Sequence, residues 1–357
     1  MKDFGINIEE YIKNKEPEKL KKAYNWKTAI GLQDVDGIKT SEYLISLATK
    51  NINGDLTLEE TKELLNTYYK EKDVREDVSR TQEADKVAVR ITELLNEPTF
   101  VFSKEQLLSI HKRLFKDIYK FAGTFRDYNI TKKEWILNGE TVYYSSCDMI
   151  KESLDYDIES EKNYKYGNND IYTDIKHLAR FIANVWQVHP FGEGNTRTCA
   201  VFLIKYLKKI GFNITNQLFE DNSLYFRNSL VRANYQNINL KISETTIYLE
   251  LFLRNLLLNE ENELKNRTMH VSYDKFSSIT DKPDKTGQDR TSSSLPDLLL
   301  QKMEDKEYSL KELMELVQIK HRETFMNNYL NPLLKGEKIE RKYDMPNHPK
   351  QKYKIKR

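Results

Sequence analysis

Four residues of complementary chemistry, His189, Glu193, Asn195 and Arg197, share the run His189-Pro-Phe-Gly-Glu-Gly-Asn-Thr-Arg-Thr198. An imidazole takes a proton from an attacking hydroxyl near neutral pH. A carboxylate holds a hard cation such as magnesium, with phosphate oxygens completing its shell. A guanidinium presents a planar fork that fits phosphate. Gly192 and Gly194 let backbone come close to a ligand. The set suits transfer of a phosphorus-bearing group.

The elements on either side must position this run. Ile175, Leu178, Phe181, Ile182, Val185 and Trp186 precede it, and Ala200, Val201, Leu203, Ile204 and Leu207 follow, ending at Gly211 behind Lys208 and Lys209. These spacings predict two buried amphipathic helices with the run as the turn between them. The second helix would then start inside the run. The N–H groups of Gly194, Asn195 and Thr196 would lack intrahelical acceptors where the helix dipole is positive, which makes an anion site.

The bulk numbers suit a globular protein of two or three domains: 357 residues, 39% hydrophobic, 31% charged, net charge +2. So balanced a charge gives no overall pull towards nucleic acid. With 12 Gly and 8 Pro the chain favours helices. Cys147 and Cys199 form no pair motif, the N-terminus has no signal-peptide pattern, and no apolar run is of membrane-spanning length. The expectation is a cytoplasmic protein without membrane contact. The chain has no phosphate-binding P-loop, no dinucleotide glycine motif and no histidine spacing suited to a metal, so nucleotide use rests on the run at 189–198.

Around that run the chain divides into four parts. Residues 1–77 read as a charged helical extension in which Thr57 and Glu60 form a capping box. Residues 78–270 read as one helical domain. Within it, 129–144 place β-branched and aromatic residues around Asn138-Gly139, which predicts a β-hairpin. Residues 271–294 read as a polar linker. Residues 295–357 carry three short helical patterns and then a basic two-stranded end, the outline of a winged helix. Lys338, Arg341, Lys342, Lys350, Lys352, Lys354, Lys356 and Arg357 there face only Glu340 and Asp344, a balance that suits a DNA backbone.

The run from His189 to Arg197 resembles the signature loop of the Fic family, His-Pro-Phe-x-(Asp/Glu)-Gly-Asn-(Gly/Lys)-Arg-x-x-Arg. Phe121-Ala-Gly-Thr-Phe-Arg126 is similar to a second stretch of that pattern. Thr196 departs from the usual Gly or Lys, and Ala200 stands at the second arginine. The resemblance implies a mainly α protein, a Fic-type helical bundle with a β-hairpin flap over the site and a C-terminal winged helix. It implies His189 as general base on a Ser, Thr or Tyr hydroxyl and Glu193 as the Mg2+ ligand. Gly192, Gly194, Asn195, Thr196 and Arg197 would surround the phosphates of ATP. Tyr225 and Asn234 would hold the adenine.

Residues 1–77 resemble an antitoxin-like module. Ser79-Arg-Thr-Gln-Glu83 is similar to the family's inhibitory core, opening a helix over 78–96. The family's inhibitory glutamate pairs with the second arginine. With Ala200 in that place, Glu83 is expected to face the nucleotide without locking it out.

The reading is a protein adenylyltransferase that moves AMP from ATP to a hydroxyl side chain docked on the flap, self-modification included. Its expected further partners are DNA at the winged helix and a second copy in a homodimer. The alternatives are a nucleotide-sensing winged-helix transcriptional regulator, removal of AMP, and phosphotransfer.

Overall fold

The computed structural model describes residues 6, 12, 16–71, 76–212, 214, 217–273, 299–300, 302–304, 306–317, 325–326, 330–336, 338–343 and 351–356. The chain forms two compact units, Met1–Asp281 and Lys282–Arg357. The expected linker lies outside the described residues beyond Tyr273. No helix among the described residues is long and apolar enough to cross a membrane.

The described residues of the first unit are mainly helical. Its helices are α1 (Pro17–Gly31), α2 (Glu42–Asn53), α3 (Leu58–Lys70), α4 (Glu76–Asn96), α5 (Lys104–Phe115), α6 (Ile150–Asn163), α7 (Ile171–Val188), α8 (Asn195–Lys209), α9 (Gln217–Ala233) and α10 (Ile247–Leu258). Local signals set their ends. Proline opens α1, and the Thr57–Glu60 capping box starts α3. The Asp170 carboxylate accepts from the N–H groups of Tyr172 and Thr173 at the start of α7.

The apolar residues expected on α7 and α8 are all buried. Every residue of α8 from Asn195 to Leu207 is buried, so this helix runs through the middle of the unit. The N-terminal helices join the same hydrophobic cluster as α7 and α8, and α1 packs on α4 and α9. At Gly31 a Cβ would come within 2.5 Å of the Glu220 backbone. Lys27 and Glu220 form a buried ion pair at 3.0 Å across that close approach. The extension is thus part of the body of the unit.

The expected β-hairpin over 129–144 takes another form. The chain does reverse at Asn138-Gly139, both with positive φ, and the Glu134 N–H reaches the Glu140 carbonyl at 2.9 Å. However, Trp135–Leu137 curl into a single 3-10 turn and no strand ladder forms there among the described residues. Consecutive burial of Ile136 and Leu137 explains this. A strand would send neighbouring side chains to opposite faces, whereas a helical turn buries both. The Ile136 carbonyl accepts from Val271 N–H at 2.8 Å, which ties the flap down.

In the second unit, Ser309 and Glu312 form a capping box that opens α11 (Leu310–Leu316), and α12 spans Asn331–Lys335. Strands β1 (Ile339–Arg341) and β2 (Tyr353–Ile355) pair antiparallel, with Glu340 opposite Lys354, and Tyr308 bridges to Tyr353. Leu299, Leu313, Phe325, Leu330, Leu333 and Ile339 share its core. One of the three helical patterns and the two-stranded end expected over 295–357 are in place. The other two helical patterns fall partly outside the described residues.

Candidate active site

α7 ends at Val188, and His189 follows with φ 48°, ψ 58°, in the left-handed region that side chains seldom adopt. Neighbouring groups hold it there. The Arg126 side chain donates to the carbonyls of His189 (2.8 Å), Val188 (3.2 Å), Tyr128 (2.7 Å) and Ser145. The Arg126 N–H donates to the Pro190 carbonyl at 2.9 Å. One guanidinium therefore joins the flap to the entrance of the loop.

The rest of the loop is braced from inside. Asn195 accepts from the Phe191 N–H at 3.0 Å and donates to the Phe191 carbonyl at 2.7 Å. His111 Nδ1 accepts from the Gly123 N–H at 2.8 Å, which leaves Nε2 as the donor to the Glu193 carbonyl at 3.0 Å. The His111 ring stacks on Phe191 with centroids 3.7 Å apart. Burial lowers the His111 pKa to about 4, so this tautomer stays neutral. Trp186 Nε1 donates to Thr196 Oγ1 at 3.0 Å, turning the threonine side chain into the core.

Gly194 is required sterically, and Gly192 is closely approached. A Cβ at Gly194, where φ is +77°, would meet the Phe115 ring at 2.3 Å, and one at Gly192 would meet the Tyr128 hydroxyl at 2.7 Å.

The His189 ring lies between Tyr144 (centroids 4.2 Å) and the edge of Trp186. Nδ1 is 3.3 Å from the Trp186 carbonyl. Nε2 is buried and has no hydrogen-bond partner. Burial drives the imidazole pKa well below its usual value, and the positive charges of Lys132, Arg126 and Arg227 push the same way. The ring is neutral at pH 7 and keeps a free lone pair, the state a general base requires.

Arg197, three residues into α8, is in the opposite condition. Its Nη2 pairs with Glu83 Oε1 at 2.7 Å, and its Nε lies 2.7 Å from Asp36 Oδ2. Nη1 donates to Gln33 Oε1 at 3.1 Å, and the guanidinium sits over the Phe115 ring. Tyr119 donates its hydroxyl proton to Glu83 Oε1 at 2.7 Å, and Arg80 holds the Asp36 carbonyl at 3.0 Å. Burial opposes the Arg197 charge, but Asp36, Tyr119 and Glu83 outweigh it and its pKa is raised.

Glu83, expected to face the nucleotide without locking it out, pairs here with the first arginine of the loop pattern. Arg197 and Ala200 lie three residues apart on one face of the helix. Glu83 meets the arginine that is present.

Glu193 is exposed and paired with Lys132 of the flap at 3.0 Å. Among the described residues no three His, Cys, Asp or Glu side chains gather into a metal site. A single carboxylate completed by substrate phosphates and water fits the habits of magnesium.

The two adenine candidates sit on α9 and just beyond its end. Tyr225 is buried in the core. Asn234 spends its amide on the carbonyls of Ala183 (2.9 Å) and Leu230 (3.0 Å). Ser79 is exposed.

Several participants were not singled out from sequence, among them Asp36, Gln33, Tyr119, Tyr144, His111, Lys132 and the bidentate pair Glu134–Arg227 (2.7 and 2.9 Å). Only tertiary packing brings them together. Arg126 alone had a signal, as the last residue of the Phe121–Arg126 motif.

Comparisons with known proteins agree with the loop. Residues 101–207 match the Fic/DOC family model, and residues 297–356 match the model of the C-terminal domain of Fic-like proteins, described as filamentation induced by cAMP. The protein adenylyltransferase VbhT of Bartonella schoenbuchensis is 22% identical over 175 residues, 49% of this chain and 35% of that protein. The probable protein adenylyltransferase y4lH of Sinorhizobium fredii is 25% identical over 128 residues, 35% of this chain and 62% of that protein. The match thus spans about a third of one relative and under two thirds of the other. A crystal structure of a Fic family protein from Desulfovibrio desulfuricans G20 covers 99% of this chain and 94% of its own, at 18% identity and a TM-score of 0.41.

Proposed function

From the Fic/DOC domain at 101–207 and the Fic-like C-terminal domain at 297–356, we propose that the chain is a protein adenylyltransferase that uses ATP. The observation that carries this is His189 Nε2, buried, neutral and without a partner beside a helix start suited to phosphate. In the proposed step a Ser, Thr or Tyr hydroxyl oxygen attacks the α-phosphorus while its proton passes to Nε2. The bond from the α-phosphorus to the bridging oxygen breaks, and pyrophosphate leaves.

The N–H groups of Gly194, Asn195 and Thr196 would take the charge that builds on the phosphate oxygens. Arg197 would neutralise the pyrophosphate once its carboxylate partners release it. Asn195 acts through the backbone of the loop, because its side chain is bonded to Phe191. Glu193 would hold Mg2+, which supplies charge neutralisation when bound, and Lys132 must give way for it.

Regulation follows from the same geometry. Glu83 and Asp36 occupy the arginine that the leaving group needs, so the conformer described here is a resting one that ATP opens by competition. DNA binding at the C-terminal unit is the weaker proposal. Lys342 and Lys354 already pair with Glu307 (2.7 Å) and Glu340 (2.9 Å), which spends part of the basic charge of that end.

The test is an intact-mass measurement after incubation with ATP and Mg2+, beside His189→Ala. An AMP adduct on the wild type alone is expected. ATP binding without any adduct, on itself or on lysate proteins, would turn the reading to a nucleotide sensor.

A further inference from the structure

Behind the flap lies a cavity of about 650 Å3 whose walls include Tyr143, Tyr144, Glu152, Tyr156, Asp157 and Val188. It adjoins the loop, since Val188 precedes His189 and the Tyr144 ring lies against that of His189. Its charge is one-sided. Two carboxylates line it, and no Lys, Arg or His does.

Asp157 is buried and accepts a hydrogen bond from Asn184, and no ion pair among the described residues reaches it. A buried carboxylate without a counter-charge is costly, and burial raises its pKa to about 6. At the rim, Tyr143 and Tyr156 are 80% and 74% exposed. Tyrosine faces attract cations. Met149, also on the wall, offers the apolar contact that a long aliphatic stem needs.

We propose that this cavity binds a Lys or Arg side chain of the protein substrate, within about three residues of the hydroxyl that is modified. The cation would sit by Asp157 and Glu152, with its stem between Met149 and the tyrosines. The shared wall of Tyr144 and Val188 sets the short spacing to His189. The inference rests on the transferase reading of the loop and names the substrate feature that loop selects.

The test uses the full chain without ATP and reads binding of fluorescent peptides by anisotropy. Each peptide carries one serine, with arginine placed in turn at three positions on either side. Matched peptides carry norleucine or glutamate instead. At least one arginine peptide should bind about tenfold more tightly than its norleucine partner, or about 1.4 kcal/mol. Asp157→Asn should abolish that preference, Tyr156→Ala should reduce it about threefold, and Glu152→Lys should move it towards the glutamate peptide.

Equal binding of arginine and norleucine at every position overturns the proposal. So does a preference that survives both Asp157→Asn and Glu152→Lys. AMP transfer to the same peptides is scored separately. Arginine-selective binding without transfer counts against the transferase reading alone.

Discussion

The two ends of one nine-residue loop are in opposite states. At one end His189 has too few partners, with Nε2 buried and unbonded. At the other Arg197 has many, holding Asp36, Glu83 and Gln33 at once. An unmet nitrogen costs about 1–3 kcal/mol and persists because Arg126, Tyr144 and Trp186 fix the ring around it. A buried guanidinium is held by the carboxylates that pair with it. The difference teaches where control acts. On the proposed reading, the base is ready in the resting protein, and access of nucleotide to Arg197 is what must change.

The largest expected effect breaks the first half of the comparison. His189→Ala should lower transfer about 100-fold or more, with ATP affinity unchanged by titration calorimetry. Equal loss of affinity and rate would mean that the ring serves the fold.

The second half is broken from the carboxylate side. Glu83→Ala should tighten ATP binding and raise transfer several-fold. Asp36→Asn should do so more weakly, since the amide oxygen of the asparagine can still accept from Arg197 Nε. The double variant should depart from additivity, because both carboxylates share one guanidinium. Additive effects would separate the two contacts.

The bracing of the loop sharpens the contrast through pH. The folded His111 pKa of about 4 lies below its usual 6.5. The unfolded chain therefore takes a proton first as pH falls. The stability due to neutral His111 is complete above pH 6.5 and drains away as pH drops towards 4. The loss is on the order of 3 kcal/mol. His111→Gln, whose amide can both accept and donate, should flatten that part of the profile in urea titrations.

The smallest effect concerns magnesium. Lys132→Met frees Glu193 from a half-exposed pair worth at most about 1 kcal/mol. The Mg2+ concentration needed for half-maximal transfer should fall two- to fivefold.

What could be read from the chain follows how local the signal was. α7 and α8 were legible because their apolar period is strong and burial honours it, from Ile175 to Trp186 and from Ala200 to Leu207. The capping box at Thr57 was legible because its two partners sit three residues apart. The flap was half legible. Asn138-Gly139 fixes the reversal, but burial of Ile136 and Leu137 replaces the ladder with a helical turn.

The lock on Arg197 was not legible. Asp36 and Gln33 are remote in sequence, and no local rule marks a carboxylate that meets a guanidinium 161 positions away. The Glu83 pair was hidden for a related reason, since motif position marks Ala200 while the helix face brings Arg197 to the carboxylate.

The most direct measurement compares ATP labelled on the α-phosphate with ATP labelled on the γ-phosphate, using Glu83→Ala/Asp36→Asn with His189 intact or replaced by alanine. The account expects α label to become bound to protein in the unlocked variant, no γ label, and neither when His189 is absent. Transfer of γ label, or α label that persists without His189, would contradict it.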